Sequence, residues 1–154
     1  MESRKKTIFL DFDGVVHPVG CLSIEFLGEK LIVTGELLFC WAPILSQILE
    51  RHNCDVVVHS TWRHHFSLTE LRQRFPMSMQ HCIVGITEGQ KRHESILRYA
   101  EHHRIDDFIV LDDQPEEYPE LWDRLVVCDS SRGIEDERIQ GQIKCFLNAS
   151  NRKS

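Results

Sequence analysis

The stretch Thr7-Ile8-Phe9-Leu10-Asp11-Phe12-Asp13-Gly14-Val15-Val16 decides how the rest of the chain is read. Thr7 to Leu10 are β-branched or apolar and predict a short buried strand. Two carboxylates, Asp11 and Asp13, follow at a spacing of two, and Gly14 lets the chain turn away. Ionised side chains resist burial, so a carboxylate pair at the carboxyl end of an apolar strand calls for a counter-charge. A divalent cation supplies it, and Mg2+ prefers oxygen ligands. The bland alternative is a pair of solvated loop aspartates, and the remainder of the chain decides between the two.

Working outward, Val56-Val57-Val58 is a second β-branched run, ending at His59-Ser60-Thr61-Trp62-Arg63. Residues 82–86 read as a third strand and 108–111 as a fourth, which ends in Asp112-Asp113. Residues 125–128 read as a fifth, before the turn Asp129-Ser130-Ser131-Arg132-Gly133. Helices alternate with these strands. Pro43 suits the first turn of a helix reaching about Arg51. Ser67 and Glu70 form a capping-box pattern for a helix through Leu68, Leu71 and Phe75 that stops at Pro76. A third helix carries Ile96, Leu97, Tyr99 and Ala100, and a last one runs through Ile134, Ile139, Ile143 and Leu147. Residues 22–33 hold two short apolar stretches around Gly28-Glu29-Lys30, a hairpin pattern. The expected fold class is α/β, a parallel sheet covered on both faces. Such sheets bind ligands beyond the carboxyl ends of their strands. Here three strand ends carry Asp11/Asp13, Ser60/Thr61 and Asp112/Asp113.

At 154 residues the chain is one domain's worth, read as a single domain over 1–154, with ordinary apolar (42%) and charged (27%) content for a globular protein. No apolar run approaches bilayer length. The start, Met1-Glu2-Ser3-Arg4-Lys5-Lys6, has no apolar signal core, so a cytoplasmic location is expected and a membrane is not. The six cysteines are scattered and read as reduced thiols. A net charge of −6 argues against strong nonspecific nucleic-acid binding. The nine histidines show no zinc-ligand spacing.

Four carboxylates at one sheet edge repel one another without a cation, and Mg2+ among Asp11, Asp13, Asp112 and Asp113 leaves positions for water and a phosphate oxygen. Asp11 is placed to attack phosphorus, and Asp13 to protonate the leaving oxygen and then activate water. Ser60 offers a hydroxyl and a backbone N–H to phosphoryl oxygens, and Lys91 neutralises charge. Thr61 is an alternative to Ser60, or a helix-entry cap. Trp62 reads as packing and His59 as turned to the face opposite Ser60, against a helix. Arg63 contacts phosphate or forms a salt bridge near Asp112 and Asp113. Asp106-Asp107 reads as a turn at the other edge of the sheet.

Asp11-Phe12-Asp13-Gly14-Val15 after its strand resembles the first motif of the haloacid dehalogenase (HAD) superfamily. Ser60 after Val56-Val57-Val58 resembles the second motif, Lys91 ahead of a helix the third, and Leu111-Asp112-Asp113 the fourth in its two-aspartate form. Ser60-Thr61-Trp62-Arg63 with Leu111-Asp112-Asp113 is closer still to a small capless subgroup, similar to HAD domains of RNA-repair-type proteins. The resemblance implies a Rossmann-like five-stranded sheet in the order 5-4-1-2-3, with a hairpin flap and no large cap. It implies Mg2+-dependent phosphoryl chemistry, with Asp11 as nucleophile and Asp13 as acid/base that also lends the metal its backbone carbonyl. Asp112 and Asp113 complete the metal site, and Ser60, Thr61, Lys91 and Arg92 are the phosphate-binding candidates. Lys91 is favoured over its neighbour Arg92 by its spacing ahead of Ile96. The expected activity is a phosphohydrolase acting on a phosphorylated small molecule, a nucleotide or a nucleic-acid end. The alternatives are a catalytically weak module that binds a phosphorylated partner, and a phosphotransferase.

Overall fold

Thr7 to Leu10 fall in β1 (Lys6–Leu10), the central strand of the computed structural model, in which residues 5–149 are described. Residues 1–4 of the charged start, and the polar tail after residue 149, lie outside the described residues. β1 is buried along its whole length because parallel neighbours flank it on both sides. After it come the hairpin strands β2 (Ser23–Leu27) and β3 (Lys30–Thr34), helix α1 (Ala42–Leu49) and β4 (Cys54–Val58). Then follow α2 (Leu68–Arg72), β5 (Ile83–Ile86), α3 (Arg92–His102), β6 (Phe108–Asp112), β7 (Leu125–Val127) and α4 (Glu137–Asn148). The main sheet is parallel, in the order β5-β4-β1-β6-β7. It differs in its labels from the expected 5-4-1-2-3, because β2 and β3 precede β4 in the chain and pair only with each other, antiparallel.

Alternation along the strands splits the core in two. Ile8, Leu10, Val56, Val58, Ile109 and Leu111 face α1, α2 and α4. Phe9, Val57 and Val110 face α3, against Ile96 and Ala100. Each of these fully buried side chains contributes roughly 1.5–3 kcal/mol, so the alternation fixes which face every strand-end residue joins.

Local signals held where the chemistry was local. The Ser67–Glu70 capping box is made in both directions, although α2 closes at Arg72, short of Phe75. Cys82 belongs to a 3₁₀ segment, Met77–Cys82, ahead of β5. Ile134 sits in a separate 3₁₀ turn, Gly133–Glu135, because Asp136 caps α4 by accepting from the backbone N–H of Arg138. Among the described residues no helix is long and apolar enough to cross a membrane. The cysteines, Cys21, Cys40, Cys54, Cys82, Cys128 and Cys145, are free thiols.

Candidate active site

Strand register builds the centre of the site. Phe9 pairs with Val57 on one side and Val110 on the other. Two residues further on, Asp11 lies between His59 and Asp112, in one row on the face that α3 covers. Backbone bonds continue the ladder to this point, from His59 N–H to Leu10 O (3.0 Å) and from Asp11 N–H to Leu111 O (3.1 Å). His59 therefore shares its face with the carboxylates rather than standing as a remote packing residue. Its ring is fully buried, with Nε2 3.2 Å from Leu111 O and Nδ1 3.9 Å from Asp112 Oδ2. Burial pushes its pKa from the ordinary 6.5 down to about 4, so the ring is neutral at neutral pH.

Arg92, the first residue of α3, reaches across the row. Its Nη1 donates to Asp11 Oδ2 at 3.2 Å and to Asp112 Oδ1 and Oδ2 at 2.9 and 2.8 Å. Lys91, one residue earlier, is the N-cap of α3 and is exposed. The favoured Lys91 therefore lies away from the carboxylates and Arg92 beside them: adjacent residues point about 100° apart around a helix, and of the two Arg92 is the one turned inward. A guanidinium at a helix N-terminus opposes the helix dipole, and the two buried carboxylates outweigh that. Asp112 also accepts from the Tyr118 hydroxyl (2.6 Å) and from the Gln114 N–H (3.1 Å). Burial works against its charge, yet the His59 ring, Arg92 and Tyr118 hold its carboxyl below the ordinary range. For Asp11, burial and then Asp112 push the carboxyl well up, with Arg92 opposing.

Asp113 sits beside this row under Gly14. Gly14 has φ +79°, and a Cβ there would overlap the Asp113 carboxylate, so the position demands glycine for both conformation and space. Ser130 donates to Asp113 Oδ2 at 2.9 Å, while Asp113 Oδ1 is buried with no hydrogen-bond partner among the described residues. Burial raises the Asp113 carboxyl, with Ser130 opposing. Oxygen atoms of Asp11, Asp112 and Asp113 lie within 4.8 Å of one another. An orphaned buried oxygen in a cluster of hard donors fits a divalent cation.

Asp13 stands outside that cluster and is held by two N–H groups. Phe39 N–H donates to His17 Nδ1 (3.3 Å), which fixes the neutral His17 ring as its Nε2–H tautomer, and Nε2–H donates to Asp13 Oδ1 at 2.7 Å. Trp62 Nε1–H donates to Asp13 Oδ2 at 3.3 Å. Trp62 packs against Phe12 and Phe39, as a packing residue should, and in addition orients this carboxylate. Ser60 is buried at the end of β4, where its hydroxyl caps the 3₁₀ turn Thr61–His64 by accepting from Trp62 N–H. Thr61 is exposed beside Asp13 rather than acting as the cap. Arg63 forms no ion pair with Asp112 or Asp113. It donates to the backbone carbonyls of His59, Ser60 and Gly89, tying the turn after β4 to the loop before α3. Asp107 is buried at the start of β6 with Lys6 Nζ 3.7 Å away, at the far end of the sheet.

His17, Tyr118 and Ser130 escaped sequence reasoning. Tyr118 and Ser130 reach Asp112 and Asp113 from loops whose path no local pattern specifies. His17 follows Asp13 by four residues, a spacing that becomes a contact only through the tight loop in which Gly14 N–H bonds His17 O (2.8 Å).

A parallel sheet with an Asp-x-Asp after its central strand and an Asp-Asp at the end of the next, three of whose carboxylates could hold a metal ion, is the arrangement of a HAD-type domain. The chain belongs to the family described as HAD domain in Swiss Army Knife RNA repair proteins, whose model matches residues 7–139. Searches of curated proteins and of solved structures returned no match.

Proposed function

We propose that this protein is a Mg2+-dependent phosphomonoester hydrolase that works through an aspartyl-phosphate on Asp11. The observation that carries the reading is the unequal treatment of the carboxylates. Asp112 has both oxygens taken by Arg92, Tyr118 and Gln114, so it anchors the cation of α3. Asp113 keeps Oδ1 without a donor, and Arg92 engages only Oδ2 of Asp11. Asp11, Asp113 and the backbone carbonyl of Asp13 would hold Mg2+, which when bound polarises the phosphoryl group and favours ionised carboxylates.

Asp11 Oδ1 attacks phosphorus, the ester P–O bond breaks, and Asp13 gives its proton to the leaving oxygen. Water then passes a proton to Asp13 and attacks phosphorus, releasing inorganic phosphate and restoring the Asp11 carboxylate. His17 and Trp62 aim Asp13 throughout, and Arg92 balances charge on the transferring group. The repair context in the family's description supports including phosphorylated nucleic-acid ends among the substrates.

The test is phosphate release from aryl phosphate, mononucleotides, phosphopeptides and 3′- or 5′-phosphorylated oligonucleotides, with Mg2+ or EDTA, beside Asp11→Asn. Mg2+-dependent release that is lost in Asp11→Asn is the expected result. Retention of full activity by Asp11→Asn removes the nucleophile assignment. No release with any substrate favours a phosphate-binding module.

A further inference from the structure

A cavity of about 330 Å³ opens beside Asp13, between the β2–β3 hairpin and the turn after β4. One of its walls is set by strand register. Ile24 pairs with Val33 and Phe26 with Leu31, and residues two apart on a strand share a face. The hairpin therefore turns four apolar side chains to one side, and all four line the cavity. Trp62 and Phe66 form the other wall, 5.5 Å apart between ring centroids. Arg74 lies over both rings at 5.8 and 5.9 Å, a contact that steadies the pair. Among the described residues neither Lys nor Arg lines the cavity, and its polar members are Asp13, Thr61 and His65.

Ile24 and Phe26 remain 58% and 65% exposed and, with Leu31, Trp62 and Phe66, make the cavity lining a contiguous apolar surface, the kind of patch that marks a binding site. Asp13 belongs to both places: it lines this cavity, and its Oδ2 accepts from Trp62, which forms the wall. A larger cavity of about 580 Å³ lies by Asp107 and α4, and neither Asp11, Asp13, Asp112 nor Asp113 lines it.

We infer that this cavity is the leaving-group subsite and takes a flat, uncharged aromatic ring carried by the alcohol portion of the phosphate ester. The inference rests on the proposed role of Asp13. A leaving oxygen that receives its proton must lie at Asp13, and the body of the leaving group then extends into the space Asp13 borders. An aromatic-lined slot without cations rejects a polyphosphate or sugar-phosphate leaving group, because charged groups lose hydration there without a partner. It rewards a ring that stacks between Phe26 and Trp62.

The experiment compares kcat/KM for 2-naphthylmethyl phosphate, uridine 3′-monophosphate and ethyl phosphate. All three release an alcohol, and 2-naphthylmethanol and ethanol are close in acidity, so the ratio of those two esters reads the ring rather than leaving-group reactivity. The expected result is an advantage of at least about tenfold for a ringed ester, on the order of one good aromatic contact. That advantage collapses in Phe26→Ala and in Ile24→Ser and persists in Leu121→Ala, a fully exposed residue outside the cavity. The better of the two ringed esters tells whether an aryl group or a nucleobase is the ring. Equal kcat/KM for all three esters, or an advantage that survives both hairpin variants, overturns the inference while leaving the hydrolase reading intact. If no ester is turned over, calorimetry with 2-naphthylmethylphosphonate separates the two failures. Binding weakened by Phe26→Ala keeps the subsite and removes the hydrolase, and absence of binding removes the subsite.

Discussion

Replacing Arg92 by methionine removes a charge from between two carboxylates and keeps most of the side chain's volume. Arg92 is 12% exposed, and its partners Asp11 and Asp112 are 3% and 0% exposed, so solvent screens little of the interaction. Breaking a buried ion pair by deleting one partner costs roughly 3–5 kcal/mol. Asp11, whose carboxyl burial already pushes up, relieves part of that by taking a proton. The lower end, about 3 kcal/mol, is therefore expected for Arg92→Met. Lys91→Met, at an exposed position with no such partner, is expected to stay within about 0.5 kcal/mol. The assay is urea unfolding at pH 7.5 in EDTA for wild type and both variants. Repeating Arg92→Met in an Asp112→Asn background should reduce its cost by about 2 kcal/mol, because the two residues share one network. Added Mg2+ should restore part of the loss, since a cation among the carboxylates supplies the missing charge. A cost under about 1 kcal/mol for Arg92→Met, or an equal cost for Lys91→Met, refutes the assignment of Arg92 as the cation of the row.

Two further outcomes follow from groups that flank the row. In His17→Phe the ring packing is kept but Asp13 loses its Nε2–H donor; kcat for phosphate release should fall on the order of tenfold to a hundredfold with KM little changed, and an unaltered kcat would sink the positioning role. His59 is held neutral, with its pKa lowered to about 4. Between pH 6.5 and 4 the unfolded chain therefore binds more protons at this residue than the folded one. Its contribution to stability, about 3 kcal/mol, is present in full above pH 6.5 and is lost as pH falls towards 4. Asp11, raised by burial, pulls the opposite way. The clean readouts are an NMR titration of the His59 ring and the pH dependence of stability relative to His59→Gln. A ring that titrates near 6.5 refutes the reading.

The sheet and the positions of its aspartates were legible because they depend on short patterns. Apolar runs four or five residues long, broken by Gly, Pro or acidic residues, announce strands, and alternation announces two covered faces. Asp11, Asp13, Asp112 and Asp113 stood out because carboxylates directly after such runs have no packing explanation. The choice between Lys91 and Arg92 was not legible. It turns on where α3 begins to within one residue, and helix boundaries are the least certain feature of a pattern reading. Nor was the company of His59, although strand alternation contains it: the ladder runs past β1 and β4 by one residue, which keeps His59 in phase with Asp11. Tyr118, Ser130 and the carbonyl contacts of Arg63 belong to loops, where the path follows from packing rather than from periodicity.

Charge accounting links the row to the reaction. The carboxylates of Asp11 and Asp112 face Arg92, Asp113 stands beside them in the same cluster, and Arg63 is close enough to Asp11 to interact with it. His59 adds nothing, because burial keeps it neutral at neutral pH. With all three carboxylates ionised, the state a bound divalent cation would favour, they outnumber the two guanidiniums, and a phosphate dianion approaching the carboxylates alone is repelled. One divalent cation reverses the sign. The same reasoning separates the aspartates. Asp112 is held by Arg92 and ties α3 to the sheet, whereas Arg92 engages Asp11 through Oδ2 alone and Asp113 keeps Oδ1 without a hydrogen-bond partner among the described residues.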